Sequence, residues 1–132
     1  MVTTKQTGIE HVAKARSFDV SISFKHSVEI SNAIRNRSTN VAKEILESTI
    51  AMKRAIPFKR YNKNVAHKRT MMAGRYPQKA AKQFLKLIHS VEANAQAKGL
   101  NASNLKITRM LANLASIPFT GKRFRTSTKR TN

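Results

Sequence analysis

Basic side chains next to aromatic rings are the groups in this chain best suited to chemistry. Residues 58–61 read Phe-Lys-Arg-Tyr, and Arg75 is followed by Tyr76. A guanidinium group can bind phosphate through two parallel N–H bonds, and a tyrosine ring can stack on an unpaired base. Both tyrosine rings could instead pack on the protein's own core, and the sequence leaves that alternative open. The combination of ring and cation favours contact with nucleic acid.

The distribution of charge supports the same interpretation. The formal net charge is +20, from 26 Lys and Arg against 6 Asp and Glu. No acid lies between Glu47 and Glu92, whereas eleven basic residues lie there and eight more follow Glu92. Acids of the chain itself cannot neutralise them, and a compact chain of this charge repels itself. A polyanionic partner is therefore expected, with nucleic acid first and an anionic membrane surface second.

The residues that catalysis or metal binding would need are sparse. The nearest pair of metal ligands is His89 with Glu92, three residues apart on one predicted helix, and two ligands do not close a zinc site. Cysteine is absent, only 4 glycines occur, and neither a Gly-rich phosphate loop nor a nucleophile elbow is present. We predict that the protein is not an enzyme and needs neither a metal nor a cofactor.

The compartment is indicated by what the sequence lacks. Without cysteine there are no disulfides, and no run of ~18 apolar residues could span a bilayer. The first residues lack the apolar middle of a signal peptide. We expect a soluble, cytoplasmic protein without membrane insertion.

One long helix should organise the fold. Within residues 76–99, apolar residues recur at spacings of three and four, which stacks them on one helix face. Pro77 suits the first helical turn, and Gly99 can adopt the left-handed conformation that ends a helix. The predicted inner stripe consists of Ala81, Phe84, Leu85, Ile88, Val91 and Ala95.

Other elements are predicted on both sides of this helix. The alternation in residues 18–24 predicts a strand, and Ser27 is a candidate N-cap for a short helix. A second helix should run from Ser38 or Thr39 to about Met52. Residues 53–75 read as a basic, irregular excursion because proline and glycine interrupt them. A second strand is expected near Leu105.

The C-terminal part is predicted to be a hairpin. Residues 108–132 contain turn chemistry at Pro118 and Gly121 between stretches that could form strands. These stretches are too thinly apolar to bury a core of their own. We therefore expect a single domain over residues 1–132, with its core at about residues 13–107 and a basic hairpin that a partner holds.

Three motifs now make the chain recognisable. They are Ile-Pro-Phe-Lys-Arg-Tyr-Asn at residues 56–62, Gly-Arg-Tyr-Pro-Gln-Lys-Ala-Ala at residues 74–81, and the run Ala-Asn-Ala to Lys-Gly-Leu within residues 93–100. From about Ala13 to Ile107 the chain resembles the family of large-subunit ribosomal protein twenty-two of the universal numbering, called protein seventeen in eukaryotes. The motif at residues 56–62 matches the archaeal and eukaryotic branch.

The resemblance implies both a fold and a function. The fold is α+β, a small antiparallel sheet packed on three helices, with an extended basic β-hairpin toward the C-terminus. The function is that of a structural constituent of the large ribosomal subunit, in contact with ribosomal RNA and neighbouring ribosomal proteins. The hairpin would line the polypeptide exit tunnel and face the nascent chain. The tip would comprise Ile117, Pro118, Phe119, Thr120, Gly121, Lys122 and Arg123.

The predicted RNA contacts lie in the basic excursion, at the start of the long helix and in the hairpin. They are Lys53, Arg54, Phe58, Lys59, Arg60, Tyr61, Lys63, Lys68, Arg69, Arg75, Tyr76, Lys79, Lys122, Arg123, Arg125, Lys129 and Arg130. If about 8 phosphates were neutralised on a duplex, log K would fall with log salt at a slope of about −7.

Two expectations remain open at this point. Residues 125–132 are polar where the family has a closing apolar strand, so the sheet could lack its last strand or the chain could be truncated. The alternative function is a free-standing nucleic-acid-binding protein of a chromatin-like or regulatory kind. Efficient binding to duplex DNA would favour that alternative.

Overall fold

A computed structural model describes residues 11–115 and has an α+β fold. Its elements are α1 Phe24–Ile34, α2 Thr39–Ile50, β1 Ile56–Pro57, β2 His67–Lys68, β3 Met71–Arg75 and α3 Gln78–Ala97, followed by a short 3₁₀ helix at Ala102–Asn104. Three helices and a small antiparallel sheet confirm the predicted fold class. Most of the predicted C-terminal hairpin, residues 116–132, lies outside the described residues.

The long helix α3 begins and ends where the sequence predicts. Pro77 precedes its first residue, and Gly99 has a φ of 72° just beyond its C-cap. The amide of Gly99 donates to the carbonyl of Gln96 and that of Leu100 to the carbonyl of Ala95, both at 2.9 Å. These two bonds form a Schellman motif, which requires the left-handed conformation that glycine adopts without strain.

Helix α2 also matches its prediction. The Ser38 hydroxyl accepts a bond from the Val41 amide, and the helix ends at Ile50. Met52 then adopts a φ of 57°, while the Lys53 amide donates to the Ser48 carbonyl at 2.9 Å. A left-handed methionine is strained by about 1 kcal/mol because its Cβ approaches the following carbonyl. This turn reverses the chain and starts the basic segment that follows.

The strand predicted for residues 18–24 is wrong. Phe18 is 77% exposed and Asp19 has a φ of 45°, so the chain turns where an extended strand would continue. The Ser23 hydroxyl accepts a bond from the His26 amide, and helix α1 therefore begins at Phe24, ahead of the predicted cap at Ser27. The alternating pattern misleads here because no neighbouring strand pairs with this stretch among the described residues.

The sheet lies inside residues 53–75, which the sequence had predicted to be irregular. The strand order is β1-β3-β2, and both pairings are antiparallel. Ile56 faces Arg75 in the register, and a bulge lies between His67 and Lys68. Two of the strands contain only two residues each, which is too short for a period of two to be recognised in the sequence.

The predicted strand near Leu105 is replaced by a different contact. Lys106 forms an isolated antiparallel bridge with Ser38, and Ile107 exchanges bonds of 2.8 Å with the turn between α1 and α2. Residues 105–107 therefore brace the helix turn and do not join the sheet. Beyond them, Met110 is buried and its carbonyl accepts a bond from the Arg35 guanidinium at 3.1 Å.

The core is formed where α2 packs along α3 and where α1 packs on β1 and α3. An ion pair of 2.6 Å between Lys43 and Glu92 joins α2 to α3 at the edge of this core. Within residues 11–115, no helix is long and apolar enough to cross a membrane. The large apolar side chains buried in this core include Ile30, Ile34, Leu46, Ile56, Phe58, Phe84 and Ile88.

Candidate nucleic-acid interface

The carboxylate of Glu29 organises the basic turn at residues 59–61. Glu29 lies on α1 and is only 1% exposed. One carboxylate oxygen accepts bonds from the amides of Arg60 and Tyr61, at 2.8 and 2.7 Å, and the other accepts from the amide of Lys59 at 3.1 Å. A buried carboxylate is tolerated when hydrogen bonds replace its water, and these bonds fix the turn on α1.

With its backbone fixed in this way, the turn presents two cations to solvent. Lys59 and Arg60 are exposed, and the Arg60 guanidinium lies 5.5 Å from the centre of the Tyr61 ring. Tyr61 is half-buried and meets Phe24 edge to face at 6.1 Å. The Tyr61 ring is therefore anchored on Phe24, and the exposed guanidinium of Arg60 lies close enough to be attracted to the ring.

Phe58 requires a correction to the predicted site. It is 3% exposed, belongs to the core cluster and meets the His26 ring edge to face at 5.4 Å. Its side chain is not available to RNA. Because the chain alternates at this point, burial of Phe58 orients its neighbours outward, so this ring positions the basic turn.

A cleft of about 730 Å³ lies between the end of α2, the residues before β2 and the end of β3. The Lys68 ammonium lies 5.7 Å from the centre of the Tyr76 ring, a distance at which a cation is attracted to the ring face. Lining residues include His26, Met52, Asn62, Asn64, Lys68, Gly74, Arg75 and Tyr76.

Gly74 permits the close packing of this region. A Cβ atom at this position would lie 2.8 Å from the Met71 sulfur and 3.1 Å from Cγ of Lys68. The glycine therefore lets the stem of Lys68 lie against β3, from where its ammonium reaches Tyr76. The GRYP motif thus has a packing reason as well as a chemical one.

The cleft keeps His26 in its neutral form. Burial, and secondarily the positive charge of Arg75, lower the pKa of His26 from 6.5. Burial disfavours the charged imidazolium, and a neighbouring cation repels it. At neutral pH this ring can both donate and accept a hydrogen bond.

A second, smaller hollow brings other predicted residues together. Its volume is about 180 Å³, and Arg54, Lys59 and Arg37 line it beside Glu29. Arg54 and Lys59 come from opposite ends of β1, so the short strand brings two predicted cations to one surface. Arg37 was not predicted, since the turn between α1 and α2 is remote from this region in the sequence.

The other predicted contacts are placed less closely. Lys53, Lys63, Arg69 and Lys79 are exposed on the segments that flank the cleft and the basic turn. Within residues 11–115, their side chains form no hydrogen bond or ion pair with either site. The hairpin residues Lys122, Arg123, Arg125, Lys129 and Arg130, and the tip at residues 117–123, lie outside the described residues.

The positive charge of the basic surface is not neutralised by acidic side chains of the described residues. None of the eleven basic residues between Glu47 and Glu92, all within the described part of the chain, forms an ion pair. Glu92 pairs with Lys43 and approaches His89 at 3.6 Å, while Glu29 is occupied by backbone amides. Among residues 11–115, no three histidines or acids lie close enough to hold a metal ion.

Sequence inspection missed several residues of this site. Asn62, Asn64 and Met52 line the cleft, and Asn62 has a φ of 52°. Asparagine adopts this left-handed conformation more readily than most residues, so the run Tyr-Asn-Lys-Asn was a recognisable turn signal. Glu29 had a signal as well, because it is an acid surrounded by apolar positions in a strongly basic chain.

Comparison with known proteins places the chain in a family. Residues 15–130 match the protein family described as Ribosomal protein L22p/L17e. The matched range includes every residue of the basic turn and of the cleft.

Individual relatives from archaea agree. The large ribosomal subunit protein uL22 of Archaeoglobus fulgidus is 52% identical over 103 residues, which are 76% of this chain and 66% of the relative. That of Methanoculleus marisnigri is 49% identical over 107 residues, 79% of this chain and 70% of the relative. That of Thermofilum pendens is 46% identical over 104 residues, which are 78% of this chain and 69% of the relative. The chain thus matches about two thirds of the length of these proteins.

The role of Glu29 can be tested by an isosteric change. In Glu29→Gln, one oxygen can still accept two amide bonds, but the new NH₂ group opposes the Lys59 amide. We expect a loss of about 1–3 kcal/mol in the free energy of unfolding, together with faster hydrogen exchange at residues 59–61. Urea unfolding and amide exchange measure both. Glu44→Gln, which removes the same charge from an exposed position on α2, is the control. Equal effects of the two changes would contradict the role of Glu29.

The lowered pKa of His26 predicts a dependence of stability on pH. The unfolded chain binds the proton more tightly than the folded one, so the free energy of unfolding falls as the pH drops below 6.5 and through the lower folded pKa. Urea midpoints at neutral and mildly acidic pH measure the fall. It should be smaller in His26→Gln, which has no proton to bind, and an equal fall in both proteins would refute the prediction.

Proposed function

Since the chain belongs to the ribosomal protein L22p/L17e family, we propose that it is a structural, non-enzymatic constituent of the large ribosomal subunit that binds ribosomal RNA. The observation that carries this proposal is the unpaired basic surface of the turn at residues 59–61 and the cleft beside it. Its partners would be large-subunit RNA and the ribosomal proteins next to it.

The basic turn supports RNA binding through its geometry. The amides of Lys59 and Arg60 donate hydrogen bonds to the Glu29 carboxylate, so the backbone that carries these two cations is held in place before a partner arrives. Preorganisation lowers the entropy lost on binding. Bound phosphates would supply the negative charge that this surface lacks, which makes RNA a stabilising partner as well as a target.

We further propose that the hairpin predicted for residues 108–132 lines the polypeptide exit tunnel. Met110 is the last core residue of the described chain, and most of residues 111–115 are exposed beyond it. The family match continues to residue 130. On this proposal residues 13–107 form the RNA-bound core of a single domain, and the tip at residues 117–123 faces the nascent chain.

Charge reversal tests the basic turn. When tagged protein from a lysate is sedimented, less of the double variant Lys59→Glu with Arg60→Glu than of the wild type should migrate with large subunits. The loss should be greater at high salt. Neutralising the same two residues to alanine should reduce the salt slope of RNA binding by about 2. Sequencing of co-purified RNA identifies the partner.

A matched control is available at the far end of α3. Lys14→Glu with Arg16→Glu makes the same change in charge on exposed residues. That segment is tied near the C-terminal end of α3 by a bond of 2.8 Å from Asn94 to the Lys14 carbonyl, about 24 Å of helix away from Gln78. Equal losses for the two double variants would refute the role of the turn. Migration of the wild type as a small species, or with DNA, would favour a free-standing nucleic-acid-binding protein.

The tunnel assignment has its own test. A photoreactive p-benzoylphenylalanine in place of Phe119 should crosslink to a radiolabelled nascent chain on stalled ribosomes. The same group in place of Lys86, which is exposed on α3, should crosslink to RNA or protein of the subunit and not to the nascent chain. A nascent-chain crosslink at neither position would remove the tunnel proposal and leave subunit binding untouched.

A further inference from the structure

We propose that the cleft between α2, the residues before β2 and β3 receives one unpaired nucleotide of the bound RNA, extruded from its helix. The proposal rests on the proposed function, because it specifies what part of an RNA this site would recognise. The main observation behind the proposal is that cationic, amide and aromatic side chains line the same cleft.

The size of the cleft fits such a ligand. Its volume of about 730 Å³ lies within the range of roughly 300–1,000 Å³ that small-molecule sites occupy. The cleft is open to solvent, so a single nucleotide of a larger RNA can enter it. Bases that have left their stack are also the usual targets of sequence-dependent RNA recognition.

The lining matches the three parts of a nucleotide. Lys68 and Arg75 can bind a phosphate, and no acid lines the cleft to repel one. Tyr76 offers an aromatic ring, whose attraction for Lys68 keeps that cation beside it at 5.7 Å. The amides of Asn62 and Asn64 can donate and accept at the edge of a base.

Two residues that line the cleft have a strained backbone conformation. Met52 and Asn62 both line it in the left-handed conformation, with φ values of 57° and 52°. Gly74 also lines the cleft, and a Cβ atom at this position would meet the side chains of Met71 and Lys68. Met52 is 58% exposed, and its flexible thioether can adapt to a base that enters beside it.

Two synthetic RNA hairpins of nearly equal length and charge test the proposal with the purified full chain. Both have the same loop, but one carries a single bulged adenosine in its stem and the other has a fully paired stem. Stacking of one base on an aromatic side chain predicts about 10-fold tighter binding of the bulged hairpin. In a further hairpin, a 4-thiouridine that replaces the bulged adenosine should crosslink on irradiation to peptides that contain residues 62–76.

Variants of the cleft should remove this preference without removing binding. In Tyr76→Leu and in Asn64→Ala the preference should fall below about 3-fold, because the bulged hairpin loses more affinity than the paired hairpin does. Tyr61→Leu and Asn40→Ala are the matched controls, since both residues lie outside the cleft, and they should keep the preference. Circular dichroism confirms that each variant is folded.

The outcomes separate this proposal from the proposed function. Equal, salt-dependent binding of both hairpins by the wild type would overturn the nucleotide site and leave RNA binding intact. Binding of neither hairpin, together with absence from large subunits, would overturn both. Adenosine monophosphate at the concentration of the hairpin should not displace it. If adenosine monophosphate displaced the hairpin, the cleft would be a site for a free nucleotide, and the proposal that its ligand is a nucleotide of RNA would be overturned.

Discussion

The hydrogen bonds between Glu29 and the amides of residues 59–61 are the contact on which the rest of the basic surface depends. They link α1 to the chain just after β1, and they satisfy a carboxylate that has almost no contact with water. An unsatisfied buried carboxylate would be very unfavourable, and three unbonded amides would add to the penalty. Each partner therefore makes the burial of the other possible. The turn is consequently part of the core, although its side chains point to solvent.

Two of the six acids, Glu29 and Glu92, hold elements of the fold together and do not pair with the cations of the basic surface. Glu29 accepts backbone bonds, and Glu92 joins α3 to Lys43 on α2. Both contacts fix relative positions of elements, and neither reduces the charge of the cations between residues 53 and 79. The fold thus keeps its positive field available for a polyanion, and repulsion among these cations is the electrostatic cost of the free protein. An RNA partner would relieve that repulsion while it forms its own contacts.

Helices α2 and α3 could be predicted closely, whereas the start of α1 and the sheet could not. Ser38, Pro77 and Gly99 mark ends by local chemistry that needs no distant partner. Strands β1 and β2 contain two residues each and exist only because β3 lies between them, so their pairing is a non-local fact. The same reason explains why the strand predicted for residues 18–24 is wrong. Apolar and polar residues do alternate there, but no strand of the described residues pairs with this stretch. For the site, the cations and tyrosines were recognisable by type, whereas Asn64, Met52 and Arg37 come to it from turns.

By itself, the sequence determined the chemistry of the surface, the length and apolar face of α3 and the family to which the chain belongs. Charge and motif are properties of residues in order, and they persist whatever the chain folds against. The tertiary structure alone decided which ring is buried, with Phe58 in the core and Tyr76 at the cleft, and which acid holds the basic turn. Those outcomes depend on packing between residues about 30 positions apart, where a side chain's environment comes from other elements and not from its neighbours in the chain.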